Sequence, residues 1–139
     1  MFNRKEKKFK SELNKVLTTT GLLKAAIAQD NDTMMAMVTG KTADDEGMRF
    51  ALETLLLVAH RNPPVIARLR ELSQQMPPKA DQAFATGIQA AEVGSVRMFQ
   101  GGNVVGQGLF IISMAAAISE DNSALADAMA TLKMYSEGS

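Results

Sequence analysis

No cysteine occurs in this 139-residue sequence, which also lacks tryptophan and carries one histidine and one tyrosine. Without a thiol there is no disulfide, no thiolate nucleophile and no thiolate metal ligand, a composition suited to a reducing compartment. A single histidine leaves little for general acid–base work, which ordinarily needs a base, an orienting partner and a nucleophile. His60 follows an apolar stretch and precedes "RNPP", where a histidine serves a helix C-terminus as dipole partner or capping donor. β-Branched residues are sparse beside Ala, Leu, Met, Lys, Glu and Gln, so the composition forms helices rather than strands. The expectation is a non-enzymatic chain, with no catalytic, cofactor-binding or metal-binding residue to assign.

Net charge is also lacking, but only in the total. The first fifteen residues, "MFNRKEKKFKSELNK", hold six Lys or Arg against two Glu, and the neutral sum leaves the remainder four negative. A basic start resembles the n-region of a signal peptide. The adjoining stretch Val16 to Asp30, "VLTTTGLLKAAIAQD", is broken by three threonines and Lys24 and offers no sustained apolar h-region. The expected location is cytoplasmic.

Apolar residues recur at helical spacing throughout. Phe2, Phe9, Leu13, Val16 and Leu17 share one side of a first helix over about Asn3 to Leu17, with lysines opposite. "TTTG" should break it, with Thr20 capping a second segment from Leu22 to about Gln29. "QDND" is a turn or cap, and Gly40 ends the "TMMAMV" helix. Helix 3, about Ala43 to His60, is so dense in Phe50, Leu52, Leu55, Leu56, Leu57 and Ala59 that it belongs at the centre. The diprolines Pro63–Pro64 and Pro77–Pro78 frame a short helix with Val65, Ile66, Leu69 and Leu72 inward. From Lys79 to about Gln100, Ala80, Gly87, Gly94 and Gly101 recur at sevens, which predicts a small-residue seam against a neighbour.

Two glycine patterns resemble phosphate-binding loops without completing them. "GKT" at Gly40 to Thr42 has Met35 where a P-loop needs its first glycine, so Gly40 should end one helix and Thr42 cap the next with Asp45. "GQGLFI" has Ile111 where a dinucleotide fingerprint needs its third glycine. The uncharged run Met98 to Ser119 is formally long enough for a bilayer of about 30 Å, but Gln100, Asn103, Gln107 and Ser113 interrupt it. The reading left for "GGNVVGQG" is a device of packing. Gly101 and Gly102 break helix 5, and Gly106 and Gly108 let a neighbouring backbone approach a buried helix from Val104 to Ile118.

"AAIAQDN" at Ala25 to Asn31 and "AAISEDN" at Ala116 to Asn122 agree at five of seven positions, suggesting one helix-corner-helix unit used twice. Neither corner completes a calcium loop, since position six is Met35 in one and Ala126 in the other. Both read as Asx turns and caps.

The surface supports two binding readings. Ten methionines is a high number, and Met34, Met35, Met37, Met129 and Met134 are candidates for an adaptable protein-binding surface, with a second copy of the chain among the partners considered. The alternative is nucleic-acid binding through Arg4, Lys5, Lys7, Lys8, Lys10 and Lys15, with His60, Arg61, Arg68 and Arg70 as a second patch. A helix-turn-helix placed on "KVLTTTGLLKAAIAQD" fits poorly, with Leu17 where a small residue belongs. The expected architecture is all-α, a compact bundle of about six or seven helices in one domain spanning 1–139, its basic first helix at about 1–17, helices 3, 5 and 6 central.

Overall fold

A computed structural model describes the backbone of residues 4–40 and 45–138 and the side chains of 13–40 and 45–137. The described residues are helical, with no strand among them. They form α1 (Arg4–Ile27), α2 (Asn31–Val38), α3 (Glu46–Arg61), α4 (Pro63–Ser73), α5 (Asp81–Val93), α6 (Val104–Ser119) and α7 (Asn122–Gly138), with short 3-10 turns at Pro78–Ala80 and Val96–Met98. α3 touches α1, α4, α5, α6 and α7, and α6 reaches every other helix. Helices 3 and 6 are central as expected, and α1 rather than α5 shares that place with them.

The first helix does not break at "TTTG". Thr18 and Thr19 turn their hydroxyls back onto the Asn14 and Lys15 carbonyls at 2.9 and 3.2 Å, which satisfies them inside a helix. Gly21 stays helical because the absent side chain makes room for α2: Met37 Cε lies 3.1 Å from where its Cβ would be. Thr20 is therefore an interior residue, and the helix continues to Ile27. The predicted apolar side also divides. Val16 is buried while Leu13 and Leu17 are 40% and 56% exposed, because the core-facing seam runs on through Thr19, Leu22, Leu23 and Ala26 and Leu17 lies about 100° round from Val16.

Gln29 takes a left-handed conformation at φ 57°, and Asp30 then caps α2 by accepting from the Thr33 N–H at 3.1 Å. Met37 over Gly21 shows that α2 folds back along α1. The predicted Thr42 cap lies outside the described residues. The cap observed for α3 is Asp45, which accepts from the Met48 N–H at 3.1 Å. α3 buries Ala51, Leu52, Leu55, Leu56, Val58 and Ala59, but Leu57 is 40% exposed, one step past the buried face. Asn62 closes α3 and opens α4.

α5 is shorter than expected. Gly94 takes φ 79°, its N–H donates to the Ala90 carbonyl at 2.7 Å, and the helix stops there. The spacing by sevens is thus not one seam: Ala80 and Gly87 are buried, Gly94 is the helix terminus, and Gly101 lies in the loop beyond. Close approach is real at Gly87, where Phe110 Cζ lies 2.2 Å from the position of a Cβ. The "GGNVVGQG" stretch opens α6, with Asn103 accepting the Gly106 N–H at 2.7 Å and donating to the Lys79 carbonyl at 2.9 Å. At Gly106 a Cβ would stand 3.1 Å from that same carbonyl oxygen, and at Gly108 it would stand 3.0 Å from Val38 Cγ2. These two glycines are where neighbours approach α6.

The two similar corners share a capping device. Asp121 accepts from the Ala124 N–H at 2.8 Å, as Asp30 does from Thr33. Their backbones differ, since Glu120 is right-handed at φ −80° where Gln29 is left-handed. α6 and α7 are bent by 111° at their corner.

Candidate functional site

The methionines singled out from sequence do not converge on one surface. Met34 is 1% exposed and belongs to the core. Met37 is partly buried and packed on that core, over Gly21. Met35, Met129 and Met134 are exposed. The last two stand five positions apart on α7, about 140° around the helix, and face different ways. Met35 lines a cleft.

Of the basic residues, the side chains of Arg4, Lys5, Lys7, Lys8 and Lys10 lie outside those described. Lys15 bridges to Glu46 at 3.2 Å, joining α1 to the first turn of α3. The second patch is neutralised by carboxylates. Arg61 grips Asp127 through Nε and Nη2 at 3.0 and 2.9 Å, tying α3 to α7. Arg68 donates to Glu120 and Glu71, both at 3.0 Å, and Arg70 pairs with Glu92. The Arg61 guanidinium, aided by Asn62 and Thr131, holds the Asp127 carboxyl below its ordinary range, while partial burial opposes this. Arg61 and Arg68 are pushed up chiefly by hydrogen bonds to Asp127 and Glu120. Cations engaged in this way have less to offer a phosphate backbone.

His60 is a structural tie. Its Nδ1–H donates to the Ala91 carbonyl at 3.0 Å, and its ring occupies the space a Cβ on Gly94 would enter, 2.8 Å away. It joins the end of α3 to the end of α5. Among the described residues no group of three His, Asp or Glu side chains is placed to hold a metal ion. No single helix among them is long and apolar enough to cross a membrane.

Two clefts stand out among the described residues. The first lies between the end of α2 and the start of α6, lined by Met35, Val38, Thr39, Val104, Val105 and Leu109 and by Gly40 and Gly108. Among the described residues its lining carries no charged side chain. Gly108 is what lets Val38 sit low enough to form the floor, and Val104 and Val105 are 38% and 47% exposed because they stand in the first turn of α6, before its buried face begins at Gly106. The second cleft lies between α3 and the turn after α5, with Glu53, Leu56, Leu57, Gly94, Ser95, Val96 and Arg97 around a cavity of about 270 Å³. Sequence alone places Val104 and Val105 in a buried helix and Ser95 to Arg97 inside helix 5. The signal available for the second was Gly94, which with "SV" after it reads equally as a helix stop.

Compared with known proteins, the chain matches no family model, no curated protein and no solved structure.

Proposed function

We propose that this protein is an interaction or regulatory module that binds a partner protein through the cleft between α2 and α6. The observation that carries the reading is the composition of that cleft: exposed Met35, Val104 and Val105 over Val38 and Leu109, without a charge among the described lining residues. Such a groove suits the apolar face of a partner helix, whose side chains gain by leaving water and need no ionic counterpart. Met35 adds a flexible side chain that adapts to the shape it meets. We place this activity in the cytoplasm, with a second copy of the chain as one partner of suitable chemistry.

The test is affinity capture from native lysate with the parent and with Val105→Asp, which adds a charge at an exposed position. A stoichiometric partner that survives high salt and nuclease, and is lost with Val105→Asp while the thermal melt is retained, is the expected result. Capture that is unchanged by Val105→Asp would refute the cleft as the docking surface. The second reading, nucleic-acid binding, is favoured by the basic first fifteen residues. Its signature is nucleic acid recovered only at low salt and lost on neutralising Arg4, Lys5, Lys7, Lys8, Lys10 and Lys15.

A further inference from the structure

Arginine pairing singles out the second cleft. Arg49, Arg61, Arg68 and Arg70 each meet a carboxylate, whereas the Arg97 guanidinium has no partner among the described residues. Ser95 adds a second idle donor: its Oγ accepts the Arg97 backbone N–H at 3.3 Å, and its hydroxyl proton goes to no described acceptor. Both residues line the same cleft, whose apolar surface is Leu56, 40%-exposed Leu57 and Val96. Glu53 also borders it, but its charge is met by Arg49 at 3.0 Å. The cleft therefore holds one unbalanced positive charge and two free donors above an apolar floor.

We propose that this cleft binds a monoanion with an apolar body, its carboxylate taken by Arg97 and the Ser95 hydroxyl and its apolar part laid over Leu57 and Val96. A guanidinium presents paired N–H groups that match the two oxygens of a carboxylate. A cavity of about 270 Å³ lies just under the range of drug-sized sites, about 300–1,000 Å³, and suits a ligand of modest size. The turn that presents the donors is held in place, since Gly94 is left-handed and the His60 ring packs against it. A fatty acid and the carboxy terminus of a peptide share this chemistry. The site is separate from the α2–α6 cleft and does not depend on the function proposed for it.

The experiment is a methyl-detected NMR titration of the full chain with octanoate, N-acetyl-leucine and the neutral octanamide. Saturable shifts at Leu56, Leu57 and Val96 with octanoate support a site of the fatty-acid kind, and the same shifts with N-acetyl-leucine support a peptide terminus. In either case octanamide should bind at least about tenfold more weakly, and Arg97→Gln should weaken the carboxylate about tenfold, while Lys133→Gln on α7 changes nothing. The exposed Arg97 side chain makes no hydrogen bond or ion pair with another described residue, so the variant should retain its melt, which is measured beside the titration. Equal binding of octanamide, carboxylate binding unchanged in Arg97→Gln, or no saturation by either carboxylate would overturn the proposal.

Discussion

Gly87→Ala sets two opposing terms against each other at one position. In an ordinary helix interior, alanine in place of glycine gains about 1 kcal/mol. Here the new methyl would stand 2.2 Å from Phe110 Cζ and 2.5 Å from both Cε atoms, well inside van der Waals contact. The ring has nowhere to withdraw. Phe84 meets it edge-on at 5.4 Å between centroids and Phe99 stacks on it at 5.7 Å, and Phe110 is fully buried. Overpacking a filled core costs about 1–3 kcal/mol, and a contact backed on both sides belongs at the upper end of that range. The expected net is a loss of about 2 kcal/mol, or a melting temperature lower by roughly 6–10 °C for a chain of this length. Urea denaturation and thermal melts of Gly87→Ala, Phe110→Leu and the double variant measure it. The double variant should be more stable than the sum of the single losses by about 1 kcal/mol or more, because the smaller side chain vacates the space. Gly21→Ala is the control with the opposite sign: its methyl meets only the flexible end of Met37 at 3.1 Å, and it should gain about 0.5–1 kcal/mol. If Gly87→Ala matches or exceeds the parent while Gly21→Ala is stabilising, close packing of Phe110 on α5 is refuted.

Two further predictions concern α6 and the tie between α3 and α7. Gly106→Leu drives a side chain toward the Lys79 carbonyl and Ala83, and should cost about 3 kcal/mol in a chemical melt, since a backbone oxygen yields less readily than a side chain. Asp127, whose pKa is lowered in the folded state by Arg61, adds stability that is present above its unfolded pKa of about 3.9 and is lost as pH falls through the folded value. The pair is partly exposed, so screening limits this to about 1 kcal/mol. The melting difference between parent and Asp127→Asn should be full at neutral pH, begin to shrink near pH 4 and vanish only below the lowered folded pKa; a difference that does not shrink as pH falls below about 4 would assign the loss to packing.

Fold class was legible because it depends on local composition. Helix-forming residues without strand formers, the diprolines, and the apolar density of Leu52 to Ala59 each point to a helical bundle without any knowledge of neighbours. The boundaries that failed are those decided by partners. "TTTG" carries every local mark of a break, yet the threonines satisfy their own hydroxyls and Met37 occupies the space above Gly21. The spacing of Ala80, Gly87, Gly94 and Gly101 reads as a seam until Gly94 takes a left-handed conformation. At Gly106 and Gly108 the same kind of argument succeeded, because a glycine pair inside an apolar run has few other uses.

The surface was less legible, and for a related reason. A sequence lists charges without their partners, so Arg61, Arg68, Arg70 and Arg97 are equivalent until the fold supplies Asp127, Glu120, Glu71 and Glu92 to three of them. The carboxylates that silence the expected phosphate patch lie at least twenty residues away along the chain in three of those four pairings. Exposed methionine is likewise a property of helix rotation: Met34 and Met35 are adjacent, and one is core while the other faces solvent. What distinguishes Arg97 is therefore a subtraction that only the tertiary structure performs. Among the described arginines it leaves one whose charge is met by no carboxylate, beside a hydroxyl with a proton to give and above leucine and valine that water touches.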